Sequence, residues 1–451
     1  MKPTIPKGTR DFLPSQVYKR NFIFDTIKSV FKTYGYQPIE TPTMESLSTL
    51  TGKYGEEGDK LLFKVLNNGD FLKKANAEDL AQKKSNAVIS DISKRGLRYD
   101  LTVPFARFVV MHQNELQFPF KRYHIQPVWR ADRPQKGRYQ EFYQCDADMV
   151  GSDSLMYEAE LIKILDEVFV KLNLKSIIKV NNRKVLYGLA EANGIQDKFM
   201  DMTMAIDKLD KIGASKVVDD MVSRGISETA ATKVLEMLTI NNLDELEKEF
   251  DDAPTGKKGI SELREFHEYL DLIGTQNPVK FDLSLARGLS YYTGCIIEVE
   301  ADTATYKDLK MGSIAGGGRY DDLTGVFGMK DMSGVGISFG AERIFDVMEE
   351  CNLFPKGVEK DLDVLIITFD DITHKYGFSV LQKLRSNNIA ADLYPSPTKM
   401  KKQMKYADAR KVPYVILIGS EEMENGIFTL KNMKEGSQEK LQLEAIIDIL
   451  K

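Results

Sequence analysis

The chain has 451 residues, room for two or three domains at about 150 residues each, which excludes a mini-protein or a single peptide module. Hydrophobic residues make up 42% and charged residues 29%, with 32 glycines and 15 prolines, the balance of a globular protein and not of a disordered or collagen-like chain. Lys and Arg number 62 against 67 Asp and Glu, a net charge of −5, so any surface for nucleic acid has to be local.

The three cysteines, Cys145, Cys295 and Cys351, form no C-x-x-C pair. That spacing argues against a structural zinc site and a disulfide framework, and predicts a reducing, cytoplasmic setting. The first residues carry no apolar h-region, and no apolar run is long enough to span a bilayer, so a soluble protein with no membrane partner is expected.

In chain order, Ile23, Ile27, Val30, Phe31 and Tyr34 recur at helical spacing and Gly35 stands where a C-cap belongs, so Gln16 to Tyr34 is predicted as an amphipathic helix. Tyr36 to Pro42 reads as an extended segment broken by two prolines, suited to an edge or an interface. Lys60 to Leu66 alternates into an Asn67 to Asp70 turn, a hairpin signal, and Leu72 to Arg95 reads as an inserted polar excursion without an assigned role. Leu97 to Val110 is a strand running into an apolar helix with Pro104 in its first turn.

Arg122 to Arg130 and Tyr139 to Val150 read as a long antiparallel hairpin joined by ADRPQKGR. A period of two puts Phe142, Gln144, Asp146 and Asp148 on one face and Tyr143, Cys145, Ala147 and Met149 on the other. Ser154 to Leu172 is helical by pattern, and Val180 to Gly274 is mostly helix-like and charged, an insertion. Lys280 to Glu300 returns to strand character, Gly312 to Gly328 is glycine-rich, and Gly334 to Met348 is a strand passing into a helix. After a linker at Asn352 to Glu359, Asp361 to Lys451 alternates apolar strands with helices, a separate α/β domain. Lys399, Lys401, Lys402, Lys405, Arg410 and Lys411 cluster in one of its helices, a local basic face.

Arg130, Arg133, Lys136 and Arg138 lie at the mouth of a hairpin whose inner face carries Gln144 and Asp148. Cations beside carboxylates suit a zwitterionic or phosphorylated ligand, since arginine grips phosphate with a planar fork and a carboxylate holds an ammonium or one imidazole tautomer. The same charges also fit a solvated hairpin tip. Arg287 and Arg343 stand in glycine-bearing contexts, as ligand contacts or as structural pairs. Gly316 to Arg319 matches neither a P-loop nor a dinucleotide fingerprint, and the four histidines show no metal-ligand spacing.

KGTRDFLP (7–14), YDLTVPFAR (99–107), VWRADRPQKGRYQEFYQCDADMVG (128–151), ARGLSYYTG (286–294), AGGGRYDDL (315–323) and GISFGAERI (336–344) together resemble the histidyl-tRNA synthetases, a class II aminoacyl-tRNA synthetase family. The resemblance runs end to end. It implies an α+β protein: an antiparallel-sheet catalytic domain over 1–350, interrupted by a helical insertion at 180–274, and an α/β anticodon-binding domain at 361–451. It implies a homodimer with the first helix and YQPIETP at the subunit interface, and L-histidine, ATP with Mg²⁺, and tRNA-His as reactants.

By the same resemblance Arg130 and Arg287 clamp the α-phosphate. Arg138 and Arg343 hold the γ-phosphate end of a bent ATP, with Asp132 near the adenine amino group. Asp100, Thr102 and Gln144 match the holders of histidine's α-ammonium, and Asp148 and Tyr292, with Tyr291 beside it, match the readers of the imidazole. Asp100 and Asp148 stand where many bacterial members carry Glu. The competing reading is a noncatalytic paralogue acting as regulatory subunit of ATP phosphoribosyltransferase. Such paralogues lack the anticodon domain and lose signature residues, whereas Arg130, Arg287, Arg343 and residues 361–451 are all present here.

Overall fold

The stripe of Ile23, Ile27, Val30 and Phe31 forms the buried face of a helix, Pro14–Thr33, and Gly35, at φ +77°, ends it in the left-handed region that glycine enters without a Cβ penalty. The computed structural model describes residues 2–51, 61–286, 292–321, 323–359 and 361–451. The chain divides into two compact units, Met1–Phe12 with Lys19–Phe354, and Leu13–Tyr18 with Pro355–Lys451.

The strands of the first unit are β1 (Gln37–Pro38), β2 (Met44–Ser46), β3 (Lys64–Val65), β4 (Arg95–Leu97), β5 (Phe120–Trp129), β6 (Glu141–Val150), β7 (Ser176–Asn182), β8 (Val279–Phe281), β9 (Cys295–Ala301), β10 (Ala315–Tyr320) and β11 (Gly334–Gly340). Eight of them make one sheet in the order β1-β5-β6-β11-β10-β9-β7-β8, antiparallel throughout except for the short outer strands β1 and β8, which run parallel to their neighbours. The proline-broken segment is the sheet edge, as its composition predicts. The hairpin pairs Phe120 with Val150 through Trp129 with Glu141.

Alternation along β6 decides which residues meet the core. Tyr143, Cys145, Ala147 and Met149 join the apolar cluster beneath the sheet, where Phe31 packs against Tyr123 and Phe339 at 5.7 and 5.9 Å between ring centres. The helix Met156–Lys171 buries Leu161, Ile162, Leu165 and Phe169 in the same cluster, each contributing about 1.5–3 kcal/mol on full burial. At its start Glu158 takes both oxygens to Arg319 of β10, Nε at 2.5 Å and Nη2 at 2.6 Å, a fork-to-fork pair sealed from water.

Two sequence expectations need correction. The Asn67–Asp70 turn returns no strand: β3 and β2 both pair with β4 in a separate three-stranded sheet, and the excursion between β3 and β4 folds into the helices Ala77–Ala81 and Ser85–Ile92. Asn-Asn-Gly-Asp is turn chemistry, but a turn does not choose its partner strand. Val180 to Asn182, read as the start of the insertion, complete β7, and the helices begin at Arg183. There the helices Arg183–Ala192 and Pro254–Ile273 touch backbone to backbone through Gly188 and Gly256, where a Cβ on either would overlap the other.

Arg98, fully buried behind β4, hydrogen-bonds to no carboxylate among the described residues: its guanidinium donates to the carbonyls of Thr41, Pro42 and Pro127 and to Gln126 Oε1. Burial lowers its pKa to about 10, with the charges of Glu45 and Glu40 opposing it only in part.

The second unit holds β12 (Val364–Thr368), β13 (Ala391–Leu393), β14 (Tyr414–Ile418), β15 (Ile427–Asn432) and β16 (Gln438–Gln442) in the order β13-β12-β14-β15-β16. The first three are mutually parallel and the last two antiparallel, over a core including Ile366, Leu381, Leu384 and Ile416. In the helix Met400–Ala409 and its flank, Lys399, Lys401, Lys402 and Lys405 are exposed. Arg410 is instead drawn inward by Asp361 at 2.5 Å and Asp392 at 3.4 Å.

Candidate active site

A cavity of about 310 Å³ opens on the sheet face away from the apolar cluster, over β6, β11 and β10. Strand alternation supplies its floor, because Phe142, Gln144, Asp146 and Asp148 all point there, opposite their core-facing neighbours. Nine sequence-predicted residues line it: Asp100, Thr102, Arg130, Asp132, Arg138, Gln144, Asp148, Tyr292 and Arg343. Arg287 and Tyr291 lie outside the described residues. Of the hairpin-mouth cations, Lys136 points to Glu350 at 2.7 Å and Arg133 is exposed, neither lining the cavity.

The cavity is polarised from end to end. At the hairpin mouth Arg130 is held by its Nε–H donating to the Tyr99 carbonyl at 2.9 Å and by the Phe142 ring at 5.1 Å. Arg343, one turn into the helix Ala341–Glu350, donates through Nε to the Gly137 carbonyl at 2.8 Å and through Nη1 to the Ser313 carbonyl, fastening the hairpin loop to β10's approach. Arg138 is exposed, and no described carboxylate forms an ion pair with it or with Arg130. Three guanidinium groups thus gather at this end, two of them anchored by main-chain carbonyls.

At the other end the acids are buried. Asp100 is 6%, Asp146 2% and Asp148 3% exposed. Asp100 accepts from the Val103 amide at 3.2 Å, steadying the first turn that presents Thr102. Gln144 Nε2–H donates to Ser338 Oγ at 2.8 Å, the Ser338 hydroxyl turns to Asp146, and Gln144 Oε1 is left without a partner. Burial pushes the Asp146 carboxyl up to about 7, opposed by Arg122 and reinforced by the like charge of Asp148. Burial raises Asp148 too, against Arg122 and the Tyr320 hydroxyl, which donates to Oδ1 at 2.6 Å.

Glycine makes the room. Gly336 of β11 faces Asp148 in register, and a Cβ there would overlap Asp148 Oδ1. A Cβ on Gly318 would stand 2.7 Å from the Tyr292 ring. The Gly-Gly-Gly-Arg run, unassigned by motif, is therefore a buried strand whose missing side chains leave space for the neighbouring β11 main chain and the Tyr292 ring.

Sequence reasoning did not single out Arg122, Tyr320 or Ser338 as site residues. Alternation had placed Asp146 on the correct face, but Tyr320 and Ser338 reach the site only through pairings of β10 with β11 and of β11 with β6, about 170 to 190 residues apart in sequence from their acidic partners.

A cleft with guanidinium groups at one end and buried acids with an amide at the other fits a molecule that is anionic at one end and a hydrogen-bond donor at the other. The family model described as histidyl-tRNA synthetase matches residues 8–344, and an anticodon binding domain model matches residues 363–451.

The chain belongs to the histidyl-tRNA synthetase family.

It is 54% identical to the histidine–tRNA ligase of Christiangramia forsetii, over 100% of this chain and 99% of the relative. It is 51% identical to that of Bacteroides fragilis with the same coverage. Among solved structures it is similar to the histidyl-tRNA synthetase of Nostoc sp. PCC 7120, with 28% identity, a TM-score of 0.83, and 100% and 99% of the two chains covered. The α+β architecture is that of the family. No described helix is long and apolar enough to cross a membrane.

Proposed function

We propose that this protein activates L-histidine with ATP and transfers it to the 3′ end of tRNA-His. The polarised cleft carries this reading, because the reaction must bring an amino acid's carboxylate against a triphosphate and hold both in line. A carboxylate oxygen of histidine attacks the α-phosphorus, the bond from that phosphorus to the bridging oxygen breaks, and pyrophosphate leaves with the electron pair. The tRNA ribose hydroxyl then attacks the histidyl carbonyl, releasing AMP.

Arg130, at the cleft, and Arg287 oppose charge developing on the α-phosphate, while Arg138 and Arg343 take the γ-phosphate end and Asp132 meets the adenine amino group. Asp100, Thr102 and Gln144 hold the α-ammonium; the orphaned Gln144 Oε1 is an acceptor in want of a donor. Asp148 accepts one imidazole N–H and Tyr292, flanked by Tyr291, serves the other nitrogen. A site built to satisfy a substrate's polar edge rejects analogues lacking it by roughly 10⁴–10⁵-fold, without an editing domain.

ATP enters as its Mg²⁺ complex. Phosphate oxygens and waters would supply most of that ion's ligands, so few protein carboxylates would be called on. The working division is a catalytic domain over 1–350 with the helical insertion at 183–274, and residues 361–451 as anticodon-binding domain with the exposed lysines toward tRNA. The protein acts as a cytoplasmic homodimer.

ATP/pyrophosphate exchange with each amino acid in turn tests the reading. Exchange with histidine alone, followed by charging of tRNA-His, is expected; none with any amino acid, from folded protein, would turn the assignment toward the regulatory paralogue.

A further inference from the structure

Beneath the acidic end of the cleft, outside the residues that line it, lies a buried arginine. Arg122 is 0% exposed, on β5 directly across from Asp148 of β6. Its Nη2 stands 2.6 Å from Asp148 Oδ2 and 4.0 Å from Asp146 Oδ2, and its guanidinium lies over the Phe105 ring at 4.2 Å. Phe105 belongs to the helix Thr102–Met111, which also presents Thr102 to the cleft. The Arg122–Asp148 contact is a close charge pair without hydrogen-bond alignment, since none of the three guanidinium nitrogens has a hydrogen-bond partner. A guanidinium sealed from water is costly unless opposite charge surrounds it, and two carboxylates side by side are costly unless a cation separates them. Each group makes the burial of the others tolerable.

We propose that Arg122 is a positioning residue for histidine selection: from under the floor it holds Asp148 as an aimed carboxylate, while Tyr320 fixes its other oxygen. This rests on the reading of Asp148 as the imidazole acceptor. With Oδ1 tied to Tyr320 and Oδ2 beside Arg122, the carboxylate plane is set from two strands, leaving its remaining lone pairs for an imidazole N–H. Among the described residues, the charged and titratable groups around Asp148 are Arg122 and His124 on β5, Asp146 on β6 and Tyr320 on β10. Tyr292 and Asp100 stand at the cleft wall, with the Tyr36 phenol farther off and the main chain of Gly336 facing from β11. His124 is held neutral, its pKa lowered to about 3 by burial and by Arg122. Arg122 is therefore the one cation among these groups, and it opposes the burial that would otherwise protonate Asp148 and Asp146 as a coupled pair.

The test is the pH dependence of histidine-driven ATP/pyrophosphate exchange by the full-length protein, comparing wild type with Arg122→Gln, Arg122→Lys and Asp148→Asn. Ionisation of free histidine is common to all four and cancels in the comparison. Arg122→Gln is expected to move the acid limb of kcat/KM for histidine upward by about 1–3 pH units and to raise the histidine KM with the ATP KM unchanged. A merely structural role would leave the limb in place. Arg122→Lys keeps the charge but loses the planar guanidinium seated over Phe105 that fixes the cation beside Oδ2, so its limb stays near wild type while the histidine KM rises; should the glutamine variant not fold, this selective KM change decides the matter. An unmoved limb in Arg122→Gln, or an unchanged histidine KM in Arg122→Lys, overturns the proposal. If Asp148→Asn leaves the histidine KM and amino-acid selectivity at wild-type values, the imidazole reading itself fails. If Asp148→Asn impairs histidine use and the Arg122 variants do not, only the role of Arg122 is lost.

Discussion

Gly336→Ala inserts a single methyl group where the floor of the cleft has no space. Gly336 stands in register between Asp148 of β6 and Gly318 of β10, and its Cβ would overlap Asp148 Oδ1, the oxygen that accepts from Tyr320 at 2.6 Å. The next obstacle, the Ala147 carbonyl at 3.1 Å, is main chain and cannot swing aside, so the carboxylate has to. Leaving its place forfeits a charge-assisted hydrogen bond of about 1.5–3 kcal/mol, and overpacking costs about 1–3 kcal/mol of stability. The first quantity acts on histidine selection and corresponds to a drop of roughly 10- to 150-fold in kcat/KM for histidine. Pyrophosphate exchange with histidine varied at saturating ATP reads it, the urea midpoint reads the stability loss, and the ATP KM should hold because the guanidinium end is untouched. Wild-type kcat/KM for histidine in a folded Gly336→Ala protein would falsify the packing of Asp148 against β11.

Arg287→Ala should lower kcat far more than it weakens histidine binding, since its partner is charge that develops at phosphorus; a change confined to KM would contradict that. Glu158→Ala leaves Arg319 buried without its carboxylate, held only by the Ser152 and Ser154 carbonyls and the Ser333 hydroxyl, and should cost about 3–5 kcal/mol in urea denaturation, with a loss below about 1 kcal/mol arguing against the pair. His124 is neutral in the folded protein down to about pH 3 but takes up a proton near 6.5 when unfolded. The unfolded chain therefore binds more protons between those values, and stability falls as pH drops through that window, by about 3 kcal/mol at pH 4 from this group. His124→Gln should flatten the stability profile there, and equal slopes in the two proteins would contradict the buried neutral imidazole. Deleting residues 361–451 should spare adenylate formation and impair aminoacylation, and normal charging by the truncated protein would remove the anticodon-domain assignment.

Much of the cleft was legible because β6 alternates so plainly: once Tyr143, Cys145, Ala147 and Met149 are given to the core, Phe142, Gln144, Asp146 and Asp148 must face the ligand. The first helix, the edge segment and the strand-to-helix passage at Arg343 were readable for the same reason, each being a local period or a local breaker. What was not readable depends on register between distant strands. Arg122 looks like any basic residue of a hairpin until its strand is paired and Asp148 falls opposite it. Gly316 to Gly318 look unlike a strand because glycine weakens strands, and only the close approach of the β11 main chain to Gly317 and of the Cys295 carbonyl and Tyr292 ring to Gly318 explains why a strand accepts them. The Asn67–Asp70 turn misled because its chemistry is local and the strand that pairs with β3 begins at Arg95, beyond two short helices.

The outer edge of β5 bears on how this protein keeps company with others. A ten-residue strand with free amides and carbonyls is a template for strand addition and hence for aggregation. Here β1 takes Arg122 and Tyr123, the Ile39 amide takes the Tyr123 carbonyl, and the Trp129 amide is spent on the Arg98 carbonyl. Pro127 has no amide to offer, and its carbonyl is already filled by the Arg98 guanidinium at 3.0 Å. A second chain laid along this edge would find few vacant main-chain groups. Even Arg98→Met would release a single main-chain acceptor on this edge, the Pro127 carbonyl, because the other groups are held by β1 and by the Arg98 main chain itself.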